Sequence, residues 1–465
     1  MRPLKSLNLL FFLCILLQAK TFSQSFPGPQ LSKDDSLIKH GYYNNSVDRY
    51  NKDVSLIPKE HRKEFEIQYT TRLHEVKQLL LSSRSVTIPS INEYLQGVVT
   101  NITTPNIALS RLKLNVLFTR DWWPNASSMG EGTIAINGGL FLPLENEAEL
   151  AFIICHEMAH EFLQHGNKAI AAHVAASNNP DLQKELRRLA KAKYRVNQQV
   201  DSLSKSFAYN SRRHSRLHEQ EADSLAFVFL SKTKYTLAAA KTALQKLDRM
   251  DESSIYPALD IRKTFTFPGQ PFKERWLEKE TGLFGAMNVE LSVAELQVQD
   301  SLKTHPDCSN RIAHVSSLLK TTGSPGAAFL VSEQMFTSLR RTFFADMAEQ
   351  CLRTGELSRH VYFCLQMLNQ DEDWKSYAAF SLIKSFNKLY EHQKTHTIGQ
   401  LIETENSMFA GEYNSLLRML DRLTLNDILD INKALSAKYQ PLLKDYPPYR
   451  EELATLNNKL KNQNY

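Results

Sequence analysis

Two histidines four residues apart, with a glutamate beside the first, are the residues of this sequence best suited to chemistry: His156-Glu157-Met158-Ala159-His160. On an α-helix, positions i and i+4 share one face, so both imidazoles can converge on a single ion while Glu157 reaches its open side. Neutral imidazole is a good zinc ligand, and a carboxylate beside an open coordination position can take a proton from a water there. Among 14 histidines this pattern arises by accident in roughly one such sequence in forty. The expectation is one Zn2+ per chain, approached by His156 and His160, with Glu157 as the proton acceptor.

Two ligands do not complete a zinc site, so a third must come from elsewhere. The arrangement HExxHxxGxxH is excluded, because Leu163 stands at its glycine position and Gly166 at its last. His165 falls off the shared face and reads as a helix-terminal residue near the negative end of the dipole. A later carboxylate is the alternative. In His218-Glu219-Gln220-Glu221-Ala222-Asp223, Glu219 and Asp223 are four apart, so one can ligate the metal while the other supports a ligand histidine. Glu221 points elsewhere.

The elements that must hold these groups can be read from spacing. Asn146 followed three residues later by Glu149 has the form of a capping box, and the largely apolar stretch 150–163 should run through a core. Helical spacing covers 59–82 and 91–102, and strand-like stretches cover 112–119 and 133–137, the second ended by Gly138-Gly139. Strand 133–137 is expected at the sheet edge, where it would hold an extended substrate by main-chain pairing. A further amphipathic helix covers 217–231, after a basic, polar excursion that reads as a solvated face. Thr321-Thr322-Gly323-Ser324-Pro325-Gly326 reads as a linker, beyond which helical period recurs over 333–352, 357–368, 374–392, 413–423 and 425–439. These paired helices suggest a tetratricopeptide-type array, with a plain bundle as the alternative.

The whole chain sets the frame. Its 465 residues, 42% hydrophobic and 23% charged, have the composition of a folded protein of two or three domains. Basic Arg2 and Lys5 before the apolar run 9–17 read as a signal peptide over residues 1–24, too short to span a bilayer. The expected product is exported, periplasmic or secreted, with no transmembrane span after signal removal. A net charge of +6, three units of it from Arg2, Lys5 and Lys20, leaves no basic surplus that would call for nucleic acid. Cys155, Cys308, Cys351 and Cys364 remain after signal removal, too few for a disulfide framework; a single Cys351–Cys364 bridge or buried free thiols are the two readings. The fold class is α+β: an N-terminal arm (25–56) and helix within 25–85, a mainly helical zincin-like domain with a small sheet over 86–321, and an all-α repeat-like domain over 322–465.

Taken in order, Glu145-Asn146-Glu147-Ala148-Glu149-Leu150-Ala151, the His156 to His160 motif, Glu219-Gln220-Glu221-Ala222-Asp223, and Thr304-His305-Pro306 with Arg311-Ile312 resemble metallopeptidase family 48. This gluzincin family includes HtpX, the CAAX prenyl proteases and the periplasmic BepA-type proteases. The resemblance covers about 88–320 and implies zinc ligands at His156, His160 and Glu219, a general acid/base at Glu157 and support from Asp223. It further implies that His305 can approach the zinc as an inhibitory fourth ligand and that Arg311 polarises or anchors a substrate carbonyl. The absence of later membrane spans argues against prenyl-protein processing, and the order of signal, catalytic domain and helical tail is nearest to the BepA type. The implied activity is zinc-dependent endopeptidase action on envelope or secreted proteins in quality control, with a protein partner on the helical tail. The rival reading is a chaperone-like binding protein whose metal site is structural or silenced.

Overall fold

The computed structural model describes residues 35–180, 184, 216–248, 258–278, 308–322, 326–370, 374–405 and 409–462. The signal segment and His305 lie outside them. Helix α1 (Ser36–Ser55) begins where the Asp35 carboxylate accepts from the Leu37 backbone N–H at 2.8 Å. The extended arm expected over 25–56 is therefore helical in its described part. Polar contacts hold it where an apolar stripe is missing: Ser46 Oγ meets Thr133 Oγ1 at 3.0 Å, and Asn115 donates to the Tyr42 carbonyl at 2.8 Å. Helices α2 (Arg62–Leu80) and α3 (Pro89–Thr103) follow, and α3 opens on a proline, whose missing N–H costs nothing in a first turn.

The sheet has four strands, β1 (Ser85–Val86), β2 (Asn115–Thr119), β3 (Ala126–Gly130) and β4 (Thr133–Asn137), in the order β1-β2-β4-β3. It is mixed: β2 runs parallel to β4, while β1/β2 and β3/β4 are antiparallel. Strand 133–137 is thus interior, and the expectation that it forms the edge is corrected: β3 takes that place. The β3–β4 turn needs positive φ at Gly130 (90°), Glu131 (48°) and Gly132 (74°). Glu131 is held in this unfavourable region by Arg72, whose Nη2 donates to its buried carboxylate at 2.8 Å.

Against this sheet lies α4 (Glu147–Phe162), the apolar helix anticipated from spacing, and then α5 (His165–Ser177). A helix over 216–231, here α6, is followed by α7 (Ala238–Asp248) and α8 (Cys308–Thr322). The first core joins α3, the sheet, α4, α6 and α7. From Gly326 the chain is pinned to that core: Ala148 N–H donates to Ala328 O, and the backbone N–H groups of Leu330 and Val331 donate to the buried Glu147 carboxylate at 2.9 and 2.8 Å.

The tail contains α9 (Glu333–Thr354), α10 (Leu357–Gln370), α11 (Lys375–Lys394), α12 (Gly411–Arg422), α13 (Leu425–Leu443) and α14 (Pro447–Asn462). Phe336, Leu339 and Phe343 of α9 belong to the first core, while Ala345, Ala348, Cys351 and Leu352 belong to a second, built with α10 to α14. One helix therefore serves both cores. Residues 258–278 pack on the second, where Lys273 and Arg275 both pair with Asp427. Cys155, Cys351 and Cys364 are free and buried, so Cys351 and Cys364 are not bridged. The architecture is α+β, mainly helical with a small mixed sheet. No helix among the described residues is long and apolar enough to cross a membrane.

Candidate active site

Helix α4 carries the motif because its start is fixed and its body is buried. Asn146 Oδ1 accepts from Glu149 N–H at 3.0 Å, half of the anticipated box; the Glu149 carboxylate turns instead to the Glu145 N–H at 2.8 Å and to Lys246 at 2.7 Å. From there Leu150, Ala151, Ile154 and Cys155 are fully buried, which directs His156 and Glu157 inward from the same rod. Burial also pushes the Cys155 thiol far above its usual range, so it packs as a small apolar group.

His156 Nε2 and His160 Nε2 lie 3.0 Å apart, and the Glu219 carboxylate of α6 lies 3.4 Å from each. A tetrahedral cation bound at 2.0–2.1 Å separates its ligand atoms by about 3.3 Å. Spacing and donor chemistry therefore fit a zinc-sized ion. Glu219 reaches this point from a separate helix, 59 positions after His160. The electrostatics agree. Burial alone would pull the His156 pKa down, but its contacts with Asp223 and Glu219 hold it up, at about 9, so the pocket favours positive charge.

Asp223 Oδ1 stands 2.9 Å from His156 Nδ1, on the far side of that ring. Arg311 of α8 grips Asp223 with Nε and Nη2 at 2.7 and 2.8 Å and reaches Glu219 with Nη1 at 3.1 Å. Burial opposes ionisation of Asp223, yet Arg311 and His156 hold its carboxyl well below the usual range. The Arg311 guanidinium, expected to anchor a substrate carbonyl, is instead buried and engaged by two carboxylates. That placement suits orientation of the ligands.

Glu157 is 2% exposed, and its Oε2 accepts from the Ser128 backbone N–H of β3 at 2.7 Å. The Ser128 hydroxyl donates to Glu161, so the edge strand is tied to α4 twice. A small pocket adjoins His156 and Glu157, with Leu140, Phe152, Leu244 and Leu247 among its apolar walls. Sequence reasoning missed Ser128, whose stretch Ala126-Ser127-Ser128-Met129-Gly130 has no apolar alternation.

His165 departs from its expected role. It opens α5 and does not close α4, because Gln164 turns the chain through a left-handed conformation, φ 56°. The ring is buried, with Nδ1 2.9 Å from His160 Nδ1 and Nε2 3.2 Å from Glu221, while His218 stacks on its face. Burial first, then the charge of His218, lowers its pKa to about 4. The structure brings His156, Glu157, His160, Glu219, Asp223 and Arg311 together; His305 lies outside the described residues.

A buried helix bearing His-x-x-x-His, a carboxylate from a later helix and an edge strand beside a glutamate together define a metallopeptidase-type domain. Residues 89–319 match the model of peptidase family M48, and the chain belongs to that family. No curated protein matches the chain.

Proposed function

We propose that the protein is a zinc-dependent endopeptidase with His156, His160 and Glu219 as metal ligands and Glu157 as general acid/base. The observation that carries this is the spacing of the three ligand groups: the two Nε2 atoms lie 3.0 Å apart and each lies 3.4 Å from a different oxygen of the Glu219 carboxylate, with a buried glutamate next in sequence to the first histidine. Bound there, the cation supplies Lewis acidity toward a peptide carbonyl and an attacking water. Glu157 accepts the proton from that water and delivers it to the departing amide nitrogen. The Ser128 N–H keeps this carboxylate aimed, and Asp223, held by Arg311, fixes the His156 ring. The outer edge of β3 suits an extended peptide, and the apolar cavity beside Glu157 suits an apolar side chain of it.

The basic-then-apolar order of residues 1–24 supports export, and resemblance to the BepA type supports unfolded or unassembled envelope proteins as substrates. The C-terminal helices, as a tetratricopeptide-like array or a bundle, would receive a protein partner. The test is Glu157→Gln: the purified variant should keep one zinc ion per chain and lose cleavage of an unfolded protein by at least about a hundredfold. Retained activity would overturn the mechanism, and a wild-type chain without zinc would overturn the metal assignment.

A further inference from the structure

The two histidines of the motif reach their carboxylates differently. His156 Nδ1 faces Asp223 directly at 2.9 Å. His160 Nδ1 meets another imidazole, His165 Nδ1, at 2.9 Å, and the opposite nitrogen of His165 meets Glu221 Oε2 at 3.2 Å. This contact depends on a local distortion, since Leu163 ends α4 and Gln164 adopts φ 56° before α5 starts at His165. A left-handed non-glycine residue costs about 1 kcal/mol. It redirects the chain so that His165, only 5% exposed, returns against the ring it follows by five positions.

The geometry points to His165 and Glu221 as positioning residues for His160, forming a second, two-step support from imidazole to carboxylate. The inference rests on the metal assignment above. Tautomer logic gives its direction. A neutral His160 that offers the Nε2 lone pair to a cation must carry its proton on Nδ1. That N–H donates to His165 Nδ1, so His165 carries its own proton on Nε2 and donates it to Glu221. The opposite order puts a proton on His160 Nε2 and abolishes ligation there. Glu221 thus favours the ligating tautomer from two bonds away, as Asp223 does for His156 from one.

His165, His218 and Glu221 could themselves be read as a second metal site, since their ligand atoms lie within 4.8 Å of one another. The ring arrangement argues against it. His165 and His218 stack with centroids 4.2 Å apart and planes only 14° from parallel. An imidazole binds a cation in its own plane, and two nearly parallel, separated planes do not meet at a shared ion. His218 instead covers the His165 face, while Glu221 stays open to solvent.

The test is zinc affinity of the full chain, measured by competition with a chelating indicator, for wild type, His165→Ala, Glu221→Ala, the double variant and His165→Asn. His165→Ala should weaken zinc binding by about 10- to 100-fold and Glu221→Ala by about tenfold at most. The double variant should bind no more weakly than His165→Ala alone, because Glu221 acts through His165. His165→Asn places an amide oxygen where Nδ1 stood, and should recover most of the loss. Metal-free unfolding midpoints report whether each variant folds; if His165→Ala does not, His165→Asn and Glu221→Ala carry the comparison. Unchanged affinity in His165→Ala, or additive losses in the double variant, would overturn the relay while leaving the zinc site standing. Two zinc ions in wild type and one in His165→Ala would show a second metal site and also overturn it. A wild type that binds no zinc would instead defeat the underlying metal assignment.

Discussion

Arg311 is 4% exposed and holds Asp223 through two hydrogen bonds while touching Glu219 with its third nitrogen. Removing one partner of a buried ion pair leaves the other uncompensated, so Arg311→Ala should destabilise the metal-free protein by about 3–5 kcal/mol in chemical denaturation. Arg311→Lys keeps the charge but not the fork, and should retain folding better than zinc affinity. His360 makes a pH prediction far from the site. It is fully buried in the second core, its Nδ1–H donates to Ala348 O at 2.7 Å, and burial lowers its pKa to about 4 despite that carbonyl; Glu349 and Lys384 act in opposite senses. The folded pKa is depressed, so this contribution is fully present above the unfolded value near 6.5 and is lost as pH falls toward 4. The loss should approach about 3 kcal/mol. His360→Asn, which keeps a donor for Ala348 and cannot titrate, should flatten that part of the stability profile; an unchanged slope would assign it to other groups.

At the level of elements, β3 is the part whose role is most sharply testable. The Ser128 N–H is given to Glu157, so Ser128→Pro removes that hydrogen bond together with the hydroxyl contact to Glu161, and Ser128→Ala, which loses only the hydroxyl, is the control. Cleavage by Ser128→Pro should fall by about tenfold or more while bound zinc stays at wild-type level, since no metal ligand is disturbed. Loss of zinc in this variant would mean that β3 supports the ligands and not the proton acceptor. How legible these elements were follows from what each depends on. Helix α4 was legible because Asn146, the apolar run and the His156 to His160 spacing are all local, and Glu219 with Asp223 because one helical turn places both on one face. Strand β3 was not, because Ser127 and Ser128 give no period-two apolar signal and the strand exists by pairing with β4 and anchoring to α4. The placement of His165 was hidden in Gln164, a residue type with no preference for the left-handed turn it makes. Helix α1 was hidden for a related reason: it is tied to the sheet by hydrogen bonds in which the Tyr42 carbonyl accepts from Asn115, Asn45 donates to Asn115 and Ser46 meets Thr133, which apolar periodicity does not register.

For the molecule as a whole, the decisive element is α9. Phe343 packs edge-on to Phe118 at 5.2 Å and against Phe141 at 5.1 Å, while Asp346 pairs with the buried Arg120 at 2.7 Å. The helix thus reaches the end of β2 and the turn that follows β4. Burying Phe336, Leu339 and Phe343 contributes about 5–9 kcal/mol, on the scale of a whole domain's net stability. A chain ended at Thr322, where the sequence suggests a boundary, should therefore unfold at a much lower temperature than one extended through Thr354, by thermal melts of the purified fragments. Equal midpoints would show that the peptidase core closes without α9. The linker-like residues 321–326 mislead here because Gly326 is needed for a close approach: a Cβ there would fall 2.4 Å from the Tyr235 carbonyl oxygen. A helix that belongs to two cores also limits how such a chain can be inherited or engineered in pieces. Exchange of one helical tail for another cannot be made at the seam that composition suggests; the viable crossover lies inside α9, between Phe343 and Ala345, where every transplanted tail must bring a helix of matching phase.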